Sequence, residues 1–390
     1  MSHSPASASP AGAPPRTHLV QLDALRAIAV LGVLLSHFMY RYEAFAPAGS
    51  LGVRLFFVLS GFLITGILLD SRDALARGAQ GLGFTLRQFY IRRFLRIFPL
   101  FYATLLVAWV CDVPEVRASI GWHVTYLSNV YFALTDAWHP PVSHLWSLAV
   151  EEQFYLVWPF LVLLAPARLL VPAIVVAIGM APAFRWIGAE AGVREMVLHN
   201  MPISALDSLG VGALLAVLPA ARPGLLGVAQ RRGFAWGTIA LLLLVLALHV
   251  PRLAAQLPLR WIRETRLVET VASLAFACVI LGAARGWRGP MGRLLAWSPL
   301  TYVGRISYGV YVLHNFMAHA VPWLFRHLHL PYPANDGWER LLLLTAATLV
   351  AAACSWHFFE KPINDLKRRF PYRRDDRRPG APAPRLVDAA

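Results

Sequence analysis

The sequence predicts an all-α membrane protein, a polytopic bundle of about ten transmembrane helices with both termini cytoplasmic. Three observations lead there. Hydrophobic side chains make up 57% of the 390 residues and charged ones only 15%, outside the usage of soluble domains. The apolar residues fall in blocks of about 18 to 22, the length that about 30 Å of hydrocarbon asks of a helix. The basic residues lie between those blocks and near the C-terminus, so the net charge of +15 reads as membrane topology and no nucleic-acid partner is expected.

Taken in order, the apolar segments are 19–40, 51–70, 98–112, 144–165, 168–184, 202–219, 234–250, 267–284, 299–325 and 340–359. Segment 98–112 is short and ends at Asp112 and Pro114, and 168–184 contains Pro172 and Pro182; either can tilt or break if its backbone is buried among neighbours. An even count puts both ends on one side. With that side cytosolic, about 23 basic residues lie inside, among them Arg16, Arg72, Arg168, Arg222, Arg231 and Arg293, and about 10 lie outside, as the positive-inside rule requires. The outside group of Arg252, Arg260, Arg263 and Arg266 runs against the rule.

The domain reading is a disordered cytoplasmic tail over 1–18, a membrane domain over 19–362, and a basic, Pro-rich cytoplasmic tail over 363–390. The first stretch lacks the basic start and apolar core of a signal peptide. The Arg-rich run from Lys367 to Arg378 suits anionic headgroups. Cys111, Cys278 and Cys354 have no paired spacing and read as buried thiols.

Ionisable residues inside membrane helices are costly, so each is a candidate for function. Arg26 and His37 are eleven residues apart, three turns plus about 20°, which puts them on one face about 16 Å apart along the axis. They could line one cavity, with Asp23 offsetting Arg26 at i,i+3. The blander alternative is a snorkelling Arg and an interfacial His. His144, Ser147 and Glu151 form a polar stripe one turn apart; an inward Glu151 can orient a histidine, or Ser143 can cap a helix whose Glu151 and Glu152 face water. Arg92, Arg93 and Arg96 cluster guanidinium groups at the cytoplasmic surface, where they suit phosphates or anionic lipid equally. Ser307, Tyr311 and His314 share a polar face that points into the bundle, where a structural, hydrogen-bonded His is the commoner outcome. H-E-x-x-H, P-loop and G-x-S-x-G patterns are absent, so no metal, nucleoside triphosphate or soluble-type serine hydrolase is expected.

At these residues the chain resembles the acyltransferase-3 family of integral-membrane O-acyltransferases. The ordered motifs are Leu22-Asp23 with Arg26-x10-His37, the stretch Gly52 to Phe62, Arg92-Arg93-x-x-Arg96-Ile97-x-Pro99, His144-x-Trp146-Ser147-Leu148-x-x-Glu151-x-x-Phe154-Tyr155, and Ser307-Tyr308-x-x-Tyr311-x-x-His314. The resemblance implies transfer of an acyl group, usually acetyl, from cytosolic acyl-CoA to a hydroxyl of a carbohydrate or glycosylated acceptor, by a multi-pass protein of the bacterial inner membrane. On that basis His37, Arg26, Glu151 and His144 are the expected catalytic set. Arg92, Arg93 and Arg96 are expected to hold CoA phosphates, and Ser147, Tyr311 and His314 to line the substrate pocket. Position 54 is Arg where many members are acidic, so no catalytic role is expected there. No counterpart of the SGNH-type domain of some members follows residue 360, so the membrane domain or a separate protein is expected to complete transfer. A transporter or flippase for an anionic or glycan solute is the alternative; it would need no histidine base, and neither inverted repeats nor paired broken helices are seen.

Overall fold

The computed structural model describes residues 17–39, 46–221, 232–249, 262, 264–333 and 337–372. The long terminal tails up to residue 16 and from 373, and the loop arginines Arg222, Arg231, Arg252, Arg260 and Arg263, lie outside the described residues. Every regular element among the described residues is helical. The order is α1 (Thr17–Phe38), α2 (Ala46–Ala76), α3 (Leu82–Val110), α4 (Pro114–Val124), α5 (Ser128–Thr135), α6 (Leu145–Leu164), α7 (Ala167–Glu190) and α8 (Glu195–Asn200). After a 3-10 turn come α9 (Leu206–Ala221), α10 (Arg232–His249), α11 (Val268–Ala284), α12 (Gly289–Leu295), α13 (Ser298–Arg305), α14 (Ser307–His327) and α15 (Trp338–Ser355). A π turn, Trp356–Glu360, leads into α16 (Lys361–Asp365) and a last 3-10 turn, Leu366–Arg369.

Among the described residues 6 helices are long and apolar enough to cross a membrane, or 7 counting α11 and α12 as one span bent by 91°. The sequence segments at 202–219, 234–250 and 299–325 give helices outside that set. In α14 the reason is the inward His, Asn and Tyr side chains, which lower its apolar character. Segment 98–112 proves to be the end of a 29-residue helix, so the Arg motif sits inside α3 and not before it. Pro99, Pro172 and Pro182 are accommodated within continuous helices, and segment 299–325 is broken at Ile306. The cysteines are free, but the buried-thiol reading fails: Cys111 and Cys354 are exposed and Cys278 is half-buried. Leu106, Val107, Leu156, Val157, Val175 and Val176 are also exposed, an outward apolar surface carried on helices, whose backbone bonds close within the segment as lipid requires.

Two buried clusters organise the bundle. One joins α1, α2, α9 and α11 through Leu25, Leu59, Val211 and Ala275; the other joins α1, α3, α6 and α14 through Val33, Phe101, Leu148 and Val310. Helices α2 and α9 cross at backbone contact. A Cβ at Gly61 would fall on the Leu209 carbonyl, and one at Gly212 on that of Val58; small residues at such crossings let dispersion packing act where lipid offers no hydrophobic drive. Gly61→Ala should therefore force α2 and α9 apart and cost about 1–3 kcal/mol, as overpacking does. A melt of the detergent-solubilised variant coincident with wild type would show that the crossing is looser than this.

Beside that crossing lies a buried ionic knot. Asp207 on α9 is fully buried and accepts from Arg54 of α2 at 3.0 Å and Arg185 of α7 at 2.7 Å, with Thr270 at 2.8 Å and its neighbour's backbone N–H, Ser208, at 2.7 Å. Arg54 is thereby committed to holding three helices together.

Candidate active site

Polar side chains inside the bundle fall in two compartments. The first is a cavity of about 100 Å³ between α1, α2, α3, α6 and α14, lined by Arg26, Arg93, Arg96, Ser60, Glu151 and Tyr155 among others. Arg26 reaches it while paired with Asp23 at 2.8 Å, the i,i+3 offset expected from spacing. Arg93 is buried, its Nε and Nη2 make no hydrogen bond, and its guanidinium stands 5.5 Å over the Tyr155 ring. The Glu151 carboxylate accepts from Ser60 Oγ and from Tyr155 OH, and Tyr155 OH lies 3.0 Å from Ser60 Oγ. A larger cavity of about 490 Å³, facing outward past Phe94 and Leu156, shares Arg93, Glu152 and Tyr155 with the first.

The second compartment is a cluster of imidazoles around Asn315. His37 Nδ1 lies 2.9 Å from Asn315 Oδ1, and Asn315 Nδ2 donates to Ser143 Oγ at 3.0 Å and to His144 Nδ1 at 3.1 Å. His144 Nε2 lies 3.0 Å from the Val312 carbonyl. His314 packs edge-on against both rings, with 4.8 Å between centroids in each case.

One set of tautomers satisfies these contacts together. Of the two carbonyls that reach His144, those of Val312 and Pro141, the Val312 one lies 3.0 Å from Nε2 while the Asn315 amide meets Nδ1, so the proton is placed on Nε2 and Nδ1 is bare. Bare Nδ1 takes a bond from the Asn315 amide nitrogen, which turns the Asn315 oxygen toward His37. His37 Nδ1 must then donate, leaving its Nε2 lone pair free. Among the described residues no partner engages that nitrogen. His314 Nδ1 likewise donates to the Tyr311 carbonyl at 2.6 Å, so its bare Nε2 faces His37 Nδ1 at 3.4 Å. A neutral imidazole so held is able to accept a proton.

Ser147 and Tyr311 form the wall between the compartments. Their hydroxyls are 2.6 Å apart and both side chains line the arginine cavity, while the Tyr311 ring stands 5.7 Å from His144 and 5.5 Å from His314. The expectation of one chamber holding Arg26 and His37 is thus corrected: Arg26 lines the cavity, and His37 lies beyond the Ser147–Tyr311 pair. Glu151 is not His37's orienting partner, since its carboxylate serves Ser60 and Tyr155, and His144 reaches His37 only through Asn315. Arg92 also leaves the predicted trio. Its Nη1 donates to the carbonyls of Lys367 at 3.2 Å and Phe370 at 3.1 Å, and it stacks 4.3 Å over Tyr372, so it docks the C-terminal turn and does not line the cavity. Ser143 does not cap α6.

Sequence reasoning gave no site role to Asn315, Ser60, Tyr155 or Glu360. The last is buried and bonded to Ser355 at 2.8 Å. Outside the spans, the short α8 leans His199 on the Trp146 ring at 4.7 Å. Burial, aided by the Arg54 charge, pushes that imidazole down to about 4. Among the described residues no group of His, Cys, Asp or Glu is arranged to hold a metal ion.

The structure is thus that of a multi-pass membrane protein, a helical bundle with an arginine-lined interior cavity and a histidine cluster behind it. The chain belongs to the acyltransferase-3 family, whose acyltransferase-domain model matches residues 19–359. It is 30% identical over 378 residues to the peptidoglycan O-acetyltransferase OatA of Listeria monocytogenes, covering 89% of this chain and 56% of that protein. It is 28% identical over 365 residues to the putative peptidoglycan O-acetyltransferase YrhL of Bacillus subtilis, covering 88% and 54%. A putative O-acetyltransferase of Staphylococcus aureus is 36% identical over 151 residues, 35% of this chain and 24% of that protein. The chain therefore spans about half the length of the curated relatives it matches most fully. No solved structure matches it. Family membership weighs against the solute-conduit alternative.

Proposed function

We propose that this protein is an O-acyltransferase of the bacterial inner membrane that moves an acyl group, acetyl first, from cytosolic acyl-CoA to a hydroxyl of a carbohydrate, with peptidoglycan the leading acceptor. In this reading the chain crosses the membrane about ten times with both termini cytosolic, residues 19–362 form the working domain, and lipid headgroups contact the basic tail. The observation that carries the proposal is the bare Nε2 of His37 behind the Ser147–Tyr311 wall of a cavity holding a buried arginine whose Nε and Nη2 make no hydrogen bond. The names of the relatives support acetyl and peptidoglycan as the first pair to test.

The chemistry runs as follows. Arg93 and Arg96, with Arg26 beside them, bind CoA phosphates at the cytosolic end, where a planar guanidinium matches phosphate geometry. The cavity of about 100 Å³ is smaller than the roughly 300–1,000 Å³ of ordinary ligand sites, so the pantetheine arm enters only as side chains part, Ser147 and Tyr311 among them. His37 Nε2 takes the acceptor hydroxyl proton as that oxygen attacks the thioester carbonyl. The freed hydroxyls of Ser147 and Tyr311 donate to the developing oxyanion. The C–S bond then breaks, and the thiolate leaves with the proton from the imidazolium.

Two measurements test this. Mass spectrometry of envelope glycans with and without the protein should show loss of one CH₂CO increment per acetylated sugar; unchanged glycans with altered solute distribution would favour transport. In membranes, Arg93→Met and Arg96→Met are each expected to raise the apparent KM for acetyl-CoA about tenfold with kcat largely kept, the pattern of lost ground-state binding. An unaltered KM would assign those arginines to lipid.

A further inference from the structure

We infer that Asn315 is the positioning residue of the reaction, the group that fixes His37 in the tautomer whose Nε2 can act as base. The inference rests on the proposed base role of His37 and adds a residue that lies outside the motifs of the sequence.

A carboxamide is asymmetric, with an acceptor on one side and a donor on the other. Asn315 presents its oxygen to His37 Nδ1 at 2.9 Å and its nitrogen to Ser143 and His144 at 3.0 and 3.1 Å. Turned over, the amide nitrogen would face His37 and the oxygen would face the bare His144 Nδ1, setting two acceptors against each other. The Val312 carbonyl, by fixing the proton on His144 Nε2, therefore propagates through His144 and Asn315 to His37. An aspartate would supply an oxygen to His37 but no donor to His144, and a leucine would supply neither. His144 thus acts on His37 at second hand, which accounts for a histidine that is fully enclosed and has no ring nitrogen free.

Among the described residues the charged and titratable groups around His37 are few, and His319, one turn on from Asn315, is turned to the Asn315 carbonyl at 2.8 Å. His314 faces it directly and His144 through Asn315, both neutral by the same donor assignments, with Tyr311 one turn behind on α14. From α2, Gly49 meets Ser36 at this end of α1, while Arg54 is held by Asp207. Helix α15 contributes Glu339 and Arg340 in its first turn. Contacts of α13 and the α11–α12 bend fall at the other end of α1, Gly304 against Asp23 and Trp287 against Gln21. No carboxylate among the described residues bonds to His37, so a carboxylate placed at position 315 would be its first.

The test uses the full chain in membranes with acetyl-CoA and a soluble glycan acceptor, comparing Asn315→Asp, Asn315→Leu, His37→Ala and the His37→Ala/Asn315→Leu double variant. Asn315→Leu should lower kcat about tenfold or more with KM for acetyl-CoA unchanged, and should cause no further loss once His37 is gone, because residues acting as a unit are not additive. Asn315→Asp puts a negative charge against the Nδ1–H and favours the imidazolium. The acid limb of the kcat/KM profile should then move to higher pH by about one unit or more. An acid limb unmoved in Asn315→Asp, or a loss from Asn315→Leu that is equal with and without His37, overturns the inference and leaves the base role standing. Wild-type turnover in His37→Ala would instead remove the base role, and the inference with it.

Discussion

Replacing His37 with alanine is expected to lower kcat for acyl transfer by about 10² to 10⁴-fold, the range that a positioned general base contributes. The loss should appear with little change in the apparent KM for acetyl-CoA, because the arginines proposed to bind the donor line a cavity that His37 does not enter. His37 is also only half-buried and makes its bond through Nδ1, so alanine removes one imidazole without opening the ionic knot or the glycine crossing. Detergent-extracted variant that elutes as wild type but transfers acetyl at more than about a tenth of the wild-type rate would exclude a base at this position.

The largest effect on stability is expected at Asp207. Its carboxylate is the shared counter-ion of Arg54 and Arg185, all three buried, with Glu269 a more distant 3.8 Å from Arg185. Asp207→Leu takes the shared counter-ion from two interior guanidinium groups and leaves Arg185 only the more distant Glu269. Breaking a buried pair from one side costs about 3–5 kcal/mol, far more than the intact pair contributes over an apolar replacement. Since a folded domain has only about 5–15 kcal/mol in hand, the variant should fail to accumulate as a monodisperse species in detergent. The exposed pair of Arg266 and Glu195 offers the contrast: Glu195→Gln should cost less than about 1 kcal/mol, because solvent screens such contacts. Equal melting behaviour of the two variants would mean that the knot is not desolvated as drawn.

Much of this arrangement was legible before any coordinates. The spacing of Arg26 and Asp23 predicted their pairing, and the period of Ser147 and Glu151 placed both on the cavity face of α6. Helical spacing, however, fixes only the angle of a side chain about its own axis. Arg92, Arg93 and Arg96 occupy neighbouring angles on α3, and what separates Arg92 from the others is a C-terminal turn packed against it from hundreds of residues away. Arg26 and His37 do share a helical face, yet a hydrogen-bonded pair from α6 and α14 comes between them. Asn315 carries no local signal, since its meaning lies in one amide being read by α1 on its oxygen side and by α6 on its nitrogen side. The break at Ile306 also has no proline to announce it; Gly304, pressed against the Asp23 carbonyl, shows that α13 belongs to the packing of α1.

The hydrogen-bonded hydroxyls of Ser147 and Tyr311 have one more consequence. An activated ester entering from the cytosol arrives with water at its back, and water is a competing nucleophile present in vast excess. In the proposed reaction the closed pair would keep the thioester and the imidazole in separate rooms until a sugar hydroxyl drew them together, so the two side chains assigned to the transition state would also hold wasteful breakdown of the donor in check.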